Sequence, residues 1–177
     1  MRIVGGICGG RHISPPSSIK ARPTTDFAKE SLFNILTNRY DYTELNVLDL
    51  FAGTGNISFE FASRGAVSVL SVEKYLPHSH FIRKTAEKLN LMNIKVINTD
   101  ALRFIKNCYE KYDIVFADPP YDMNEVGEIP SMVKEKEILR ENGIFILEHS
   151  KMYDFSQAMG AFEKRNYGNV HFTFFQF

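Results

Sequence analysis

A chain of 177 residues with 44% hydrophobic content is of a size and composition that fold as one globular domain with a substantial core. Its 21 basic and 21 acidic side chains cancel, which excludes a bulk positive charge as the basis for binding nucleic acid. Two widely separated cysteines, Cys8 and Cys108, exclude a disulfide framework and a cysteine zinc site.

The charge is nevertheless uneven along the chain. The first 25 residues carry Arg2, Arg11, Lys20 and Arg22 and no acid, whereas 14 basic and 19 acidic residues fall between Asp26 and Ser150. Glycines at 5, 6, 9 and 10 predict a short hairpin over Arg2 to Ile13, followed by a loop with Pro15-Pro16. Residues 1–23 therefore read as a basic arm and linker, appended to a domain spanning 24–177. The arm opens no apolar stretch like a signal peptide, and no apolar run approaches the ~20 residues of a membrane span. A cytoplasmic protein without membrane association is expected.

Thr24, Thr25 and Asp26 supply helix-start chemistry, and Ala28, Leu32, Ile35 and Leu36 fall on one face of the helix that follows. Apolar runs then alternate with helical segments. Strands are predicted near 46–51, 67–73, 94–98, 112–118 and 143–149, with helices near 56–64, 78–90, 100–109 and 131–140. Such alternation builds crossover units and a parallel sheet. Phe162 to Tyr167, a turn at Gly168-Asn169 and Val170 to Phe177 predict an antiparallel hairpin at the sheet edge. The expected fold class is α/β: a Rossmann-like, mostly parallel seven-stranded sheet with an antiparallel C-terminal hairpin. The acidic segment Asp122 to Pro130 reads as a mobile loop beside the site.

Acidic residues stand at four predicted strand ends: Asp49, Glu73, Asp100 and Asp118. Ligands of doubly wound sheets bind outside the carboxyl ends of the strands, where these side chains converge. The run Asp49-Leu50-Phe51-Ala52-Gly53-Thr54-Gly55-Asn56 is a strand breaking into a glycine turn, which lets backbone approach a ligand. Glu73, 20 residues beyond Gly53, is spaced to accept both hydroxyls of a ribose, and Asp100 to meet an adenine amine. A nicotinamide dinucleotide fits poorly: its fingerprint wants glycine where this chain has Ser58, and Asp49 would repel a diphosphate. A carboxylate at that strand end suits a cation, and S-adenosylmethionine carries both a sulfonium and an ammonium.

The tetrapeptide Asp118-Pro119-Pro120-Tyr121 supplies a carboxylate, a fixed backbone and an aromatic ring, a small rigid clamp for a flat base bearing an amine. His12, His78, His80, His149 and His171 are scattered without metal-ligand spacing, so no metal is expected. Glu148-His149-Ser150 lists the residue types of a relay, but neighbours on a strand point to opposite faces and cannot form one.

Taken together, Arg2-Ile3-Val4-Gly5-Gly6, Arg22-Pro23-Thr24-Thr25-Asp26, Glu30 with Leu32-Phe33-Asn34, Asp49 to Gly55, Ser63-Arg64-Gly65-Ala66, Val72-Glu73-Lys74, Asp100-Ala101 and Asp118 to Tyr121 resemble the class I S-adenosylmethionine-dependent methyltransferases. More closely, they resemble the bacterial RsmD family, and the resemblance spans nearly the whole chain. It implies methyl transfer to the exocyclic N2 of one guanine in 16S ribosomal RNA, in the small subunit or its precursor. It further implies a catalytic clamp of Asp118, Pro119 and Tyr121. The implied cofactor residues are Asp49, Phe51, Ala52, Gly53, Gly55, Glu73, Lys74, Asp100 and Ala101. Substrate contacts fall to Pro120 and to Arg2, Arg11, Lys20 and Arg22 of the arm. The chain departs from the family pattern at its hairpin turn, Ile7-Cys8-Gly9, and at Phe27, where arginine is common. Similar clamps serve adenine-N6 methylation of DNA or RNA, so that chemistry, and a cofactor-binding assembly factor without turnover, are the alternatives. A monomer is expected, since no coiled coil or exposed apolar helix is evident.

Overall fold

The computed structural model describes residues 1–16 and 26–177. The first helix, α1, spans Asp26–Thr37 and buries Ala28, Leu32, Phe33 and Leu36 completely. Alternation of strand and helix then runs β1 (Asn46–Leu50), α2 (Asn56–Ser63), β2 (Ser68–Glu73), α3 (Leu76–Leu89), β3 (Ile94–Asn98), α4 (Ala101–Lys106), β4 (Tyr112–Ala117), α5 (Ile129–Glu135), β5 (Leu139–His149), β6 (Ala161–Tyr167) and β7 (Val170–Phe175). One seven-stranded sheet holds them in the order β3-β2-β1-β4-β5-β7-β6. The first five strands are parallel, while β7 enters antiparallel between β5 and β6. This is the expected Rossmann-like α/β architecture, and it turns back at β1 and β4, where a crevice opens at the strands' carboxyl ends.

Period-two alternation divides the sheet into two apolar faces. Val47, Val69, Ile114, Phe116, Ile146, Phe172 and Phe174 pack with α1, α2 and α3, whereas Leu48, Val72, Val115, Leu147 and Phe175 pack with α4 and α5.

Helix ends follow local chemistry. Pro77 sits in the first turn of α3 and extends it two residues ahead of the expected start, while Asn90 in the left-handed region closes it. Asp100 caps α4 by accepting from the Arg103 N–H at 3.1 Å. Two expectations are corrected. The helix predicted over 131–140 begins at Ile129 and ends at Glu135, because Glu137 turns left-handed (φ 49°) and Leu139 pairs with Tyr112, lengthening β5. The segment read as a loop, 122–130, forms a 3-10 turn over Asn124–Glu128 and the start of α5, held by burial of Val126 and Ile129.

Residues 2 and 12 bridge antiparallel, with Gly10 N–H donating to the Ile3 carbonyl at 2.8 Å and a 3-10 turn over Gly6–Cys8 at the tip. This hairpin lies against α2. Glu60, wholly buried, accepts the N–H groups of Val4 at 2.7 Å and Gly5 at 2.8 Å, and Ser63 accepts from Cys8 N–H at 2.9 Å. Ile3 and Cys8 join the core through this contact. The boundary predicted at residues 23–24 lies outside the described residues.

Candidate active site

A cleft of about 1040 Å³ opens at the carboxyl ends of β1, β2, β4 and β5. Asp49, Glu73, Asp100 and Asp118 all line it, as their strand-end positions predict, and so do Phe51, Ala52, Gly53, Lys74, Ala101, Pro119, Pro120 and Tyr121.

The turn from β1 into α2 forms one wall. Phe51 holds φ at 61°, a conformation unfavourable for a bulky side chain, and Gly53 follows at 55°. Two anchors hold the turn: the Ala52 N–H donates to the Val72 carbonyl at 2.9 Å, and the Gly53 N–H donates to the Glu73 carboxylate at 2.8 Å. Gly55 does not line the cleft. It precedes α2 with φ at 82°, and a Cβ there would sit 2.9 Å from Phe59 and 3.0 Å from Ile82, so its glycine serves the packing of α2 against α3.

Each acid on this side is held differently. Asp49 is buried and accepts a hydrogen bond from Ser58, whose hydroxyl also lies 2.7 Å from that of Ser71. Burial pushes the Asp49 carboxyl up to about 7, against the Ser58 hydrogen bond and reinforced by the charges of Asp118 and Glu73. Glu73 accepts Gly53 N–H through one oxygen and Tyr75 N–H, at 2.6 Å, through the other. A carboxylate has about four acceptor directions, so it still has capacity for ligand hydroxyls. Asp100 lies 3.3 Å from the Lys74 ammonium, and its carboxyl is held below the usual range, chiefly by the Arg103 N–H.

On the opposite side, Asp118 follows β4 on the same sheet face as Phe116, Pro119 is buried, and Pro120 is exposed at the rim. The wall next to the clamp contains a residue that sequence reading missed. Glu148, near the end of β5, is 2% exposed yet lines the cleft. Its parity with Ile146 was a usable signal, obscured by the relay-like residue types beside it. His149 turns to the other face, with its ring 5.0 Å from that of Phe155 and Nε2 2.8 Å from the Thr173 hydroxyl, so no relay with Glu148 forms. Asn56, Tyr75 and His78 also line the cleft without having been singled out for it.

The basic arm does not reach the cleft through its described residues. Arg2 pairs with Asp26 at 3.9 Å and Glu30 at 3.7 Å, and Arg11 is exposed on the hairpin. Lys20 and Arg22 lie outside the described residues. Among the described residues, no cluster of His, Cys, Asp and Glu is disposed to hold a metal, and no helix is long and apolar enough to cross a membrane.

The family model for conserved hypothetical protein 95 matches residues 1–176. The ribosomal RNA small subunit methyltransferase D of Haemophilus influenzae is 33% identical over 155 residues, covering 85% of this chain and 79% of that protein. A hypothetical protein of Thermus thermophilus superposes with a TM-score of 0.87 and 26% identity, over 100% of this chain and 99% of that one. The T. thermophilus 16S rRNA N2 G1207 methyltransferase, solved in complex with AdoMet and guanosine, shares the fold with a TM-score of 0.68 and 22% identity, over 86% of this chain and 43% of that one.

Proposed function

Because the chain belongs to the conserved hypothetical protein 95 family, that of RsmD, we propose that it transfers a methyl group from S-adenosylmethionine to the exocyclic N2 of a guanine in 16S ribosomal RNA of the small subunit. The observation that carries this reading is one cleft joining the Asp118-Pro119-Pro120-Tyr121 clamp to Asp49, Glu73 and Asp100.

The residues present fit such a cofactor. Among the described residues, several carboxylates line the cleft while no arginine does, and the one lysine there, Lys74, is paired with Asp100. That charge pattern disfavours a diphosphate and favours a sulfonium with an ammonium. Asp49 faces the cationic methionine end, Glu73 accepts the ribose hydroxyls, Asp100 meets the adenine amine, and Phe51, Ala52, Gly53, Lys74 and Ala101 complete the enclosure. When bound, S-adenosylmethionine supplies an electrophilic methyl on sulfur.

The guanine amine is a weak nucleophile because its lone pair is delocalised into the ring. Asp118 and the Pro119 carbonyl accept its two hydrogens, which favours a pyramidal nitrogen with its lone pair turned out of the ring plane. Tyr121 stacks on a base drawn out of its helix, and Pro120 restrains the rim. The proton shed after transfer passes to Asp118 or to water, since the methylated nitrogen is strongly acidic. Correct alignment alone can lower a barrier by ~7–11 kcal/mol, so no covalent intermediate is needed. Arg2, Arg11, Lys20 and Arg22 contact RNA phosphates, with a monomer acting on the small subunit or its precursor.

The test is methyl transfer from labelled S-adenosylmethionine to undermethylated small subunits, free ribosomal RNA and DNA in parallel, followed by nucleoside analysis. N2-methylguanosine is the expected product. N6-methyladenine would replace this reading with adenine methylation, and cofactor binding without transfer to any of these substrates would replace it with a non-catalytic role.

A further inference from the structure

The cleft acids divide at the point where the sheet turns back. Asp49 lies near the end of β1, Glu73 ends β2 and Asp100 follows β3 on one side. Asp118 and Glu148 stand on the other side, at the ends of β4 and β5. Ala117 pairs with Leu147 in parallel register, so the next residue on each strand is Asp118 and Glu148. Neighbouring strands lie ~4.8 Å apart, and continuing that register one residue beyond β4 brings Asp118 and Glu148 to neighbouring positions in the wall of the one cleft that both line. Glu148 is paired with Phe172 of β7, which holds its backbone from that side. It is a buried carboxylate on a rigid central strand, open to the cleft and separated from the cofactor acids by β4.

Resting on the guanine-N2 reading above, we infer that Glu148 is the residue that selects guanine, accepting the N1–H of the base while Asp118 holds the adjacent amine. The two donors that guanine offers side by side, N1–H and N2–H, match two neighbouring carboxylates. Adenine presents a lone pair at N1 instead of a hydrogen. A buried carboxylate facing that lone pair loses a hydrogen bond and gains a repulsion, so the site rejects adenine as well as favouring guanine. The Asp-Pro-Pro-Tyr clamp is indifferent to this distinction, because it grips only an amine. Discrimination therefore comes from β5 and not from the tetrapeptide.

The probe is 2-aminopurine, which keeps the 2-amine but has a bare N1. Small subunits assembled on 16S ribosomal RNA with guanine or 2-aminopurine at the methylated position are compared, using the full chain and its Glu148→Gln variant. The wild type is expected to favour guanine by about 100-fold in kcat/KM, since a buried acceptor left facing a lone pair is strongly selective. In Glu148→Gln the side-chain amide can donate to N1, and the preference is expected to shrink to about 10-fold or less. Cofactor titration, expected to be unchanged within about 3-fold, reports that the variant is folded. A wild type that forms N2-methylguanosine without preferring guanine to 2-aminopurine, or an equal preference in both proteins, overturns the role of Glu148 and leaves the guanine-N2 reading standing. Absence of N2-methylguanosine from the wild type overturns both.

Discussion

Ser58, in the first turn of α2, donates its hydroxyl to the buried carboxylate of Asp49 on β1. That bond partly offsets the burial that raises the Asp49 carboxyl to about 7 from an ordinary 3.8. The folded chain therefore holds a proton that the unfolded chain has released between these values, and stability falls as pH rises from about 4 to about 7. Asp49→Asn should remove this slope and raise stability at pH 8 by ~2–4 kcal/mol. Urea denaturation at pH 5, 6 and 8 measures it, and a variant as pH-dependent as the wild type would count against Asp49 as the source.

A cationic ligand favours ionised Asp49, so cofactor affinity should rise with pH through 7 and flatten above it. Titration calorimetry in buffers of different ionisation enthalpy should detect proton release on binding near pH 6. Asp49→Asn should bind more weakly at pH 8 and show almost no pH dependence from this group.

Glu73→Ala removes the proposed acceptor for the ribose together with the acceptor for the Gly53 and Tyr75 N–H groups. Cofactor affinity should fall by ~1.5–3 kcal/mol, roughly 10- to 150-fold, with a lower Tm. Calorimetry and thermal melting separate the effects, and unchanged affinity would refute the ribose assignment.

Asp118→Ala should lower the single-turnover rate by ~10²–10³-fold while cofactor affinity stays within ~3-fold of wild type. Asp118 contributes to the cleft across the sheet from Glu73, so the two losses should be separable. Equal losses of rate and cofactor affinity would undo that division.

Glu60→Ala would strip the hairpin of its anchor and leave Lys29, itself wholly buried 3.6 Å away, without its charge partner. Burial already holds the Lys29 ammonium below its ordinary pKa. A loss of ~3–5 kcal/mol in denaturation is expected. Hydrogen exchange at the Val4 and Gly5 amides should accelerate more than at β4.

The alternation of apolar runs with helical segments was enough to read the sheet, because strands buried on both faces, such as β1 and β4, are continuous in sequence. The misplaced ends have a common cause. Glu137 adopts positive φ without being glycine, so the break between α5 and β5 lacks its usual marker. Acidic composition made 122–130 resemble a loop, although Val126 and Ile129 carry the burial that folds it. In the cleft, acids at strand ends were legible one by one, whereas the packing of Phe59 and Ile82 against Gly55, a constraint beside its reading for ligand approach, was not. Hydrogen bonds such as Glu60 to Val4 join residues 56 apart, and no local pattern announces them.

A side chain on Gly6 would put its first carbon 1.9 Å from the Ser63 carbonyl, whereas Gly10 has open space around it and Ile7 is 78% exposed. The hairpin thus has one frozen side and one free side. Its inner residues can change only together with the end of α2, while positions 7 and 11 can vary without disturbing the fold; Gly10 has room but holds φ at 84°, which favours glycine. Evolutionary adjustment of what the hairpin touches is thereby confined to its outer rim, and an engineer seeking a different contact surface there has the same few positions to work with.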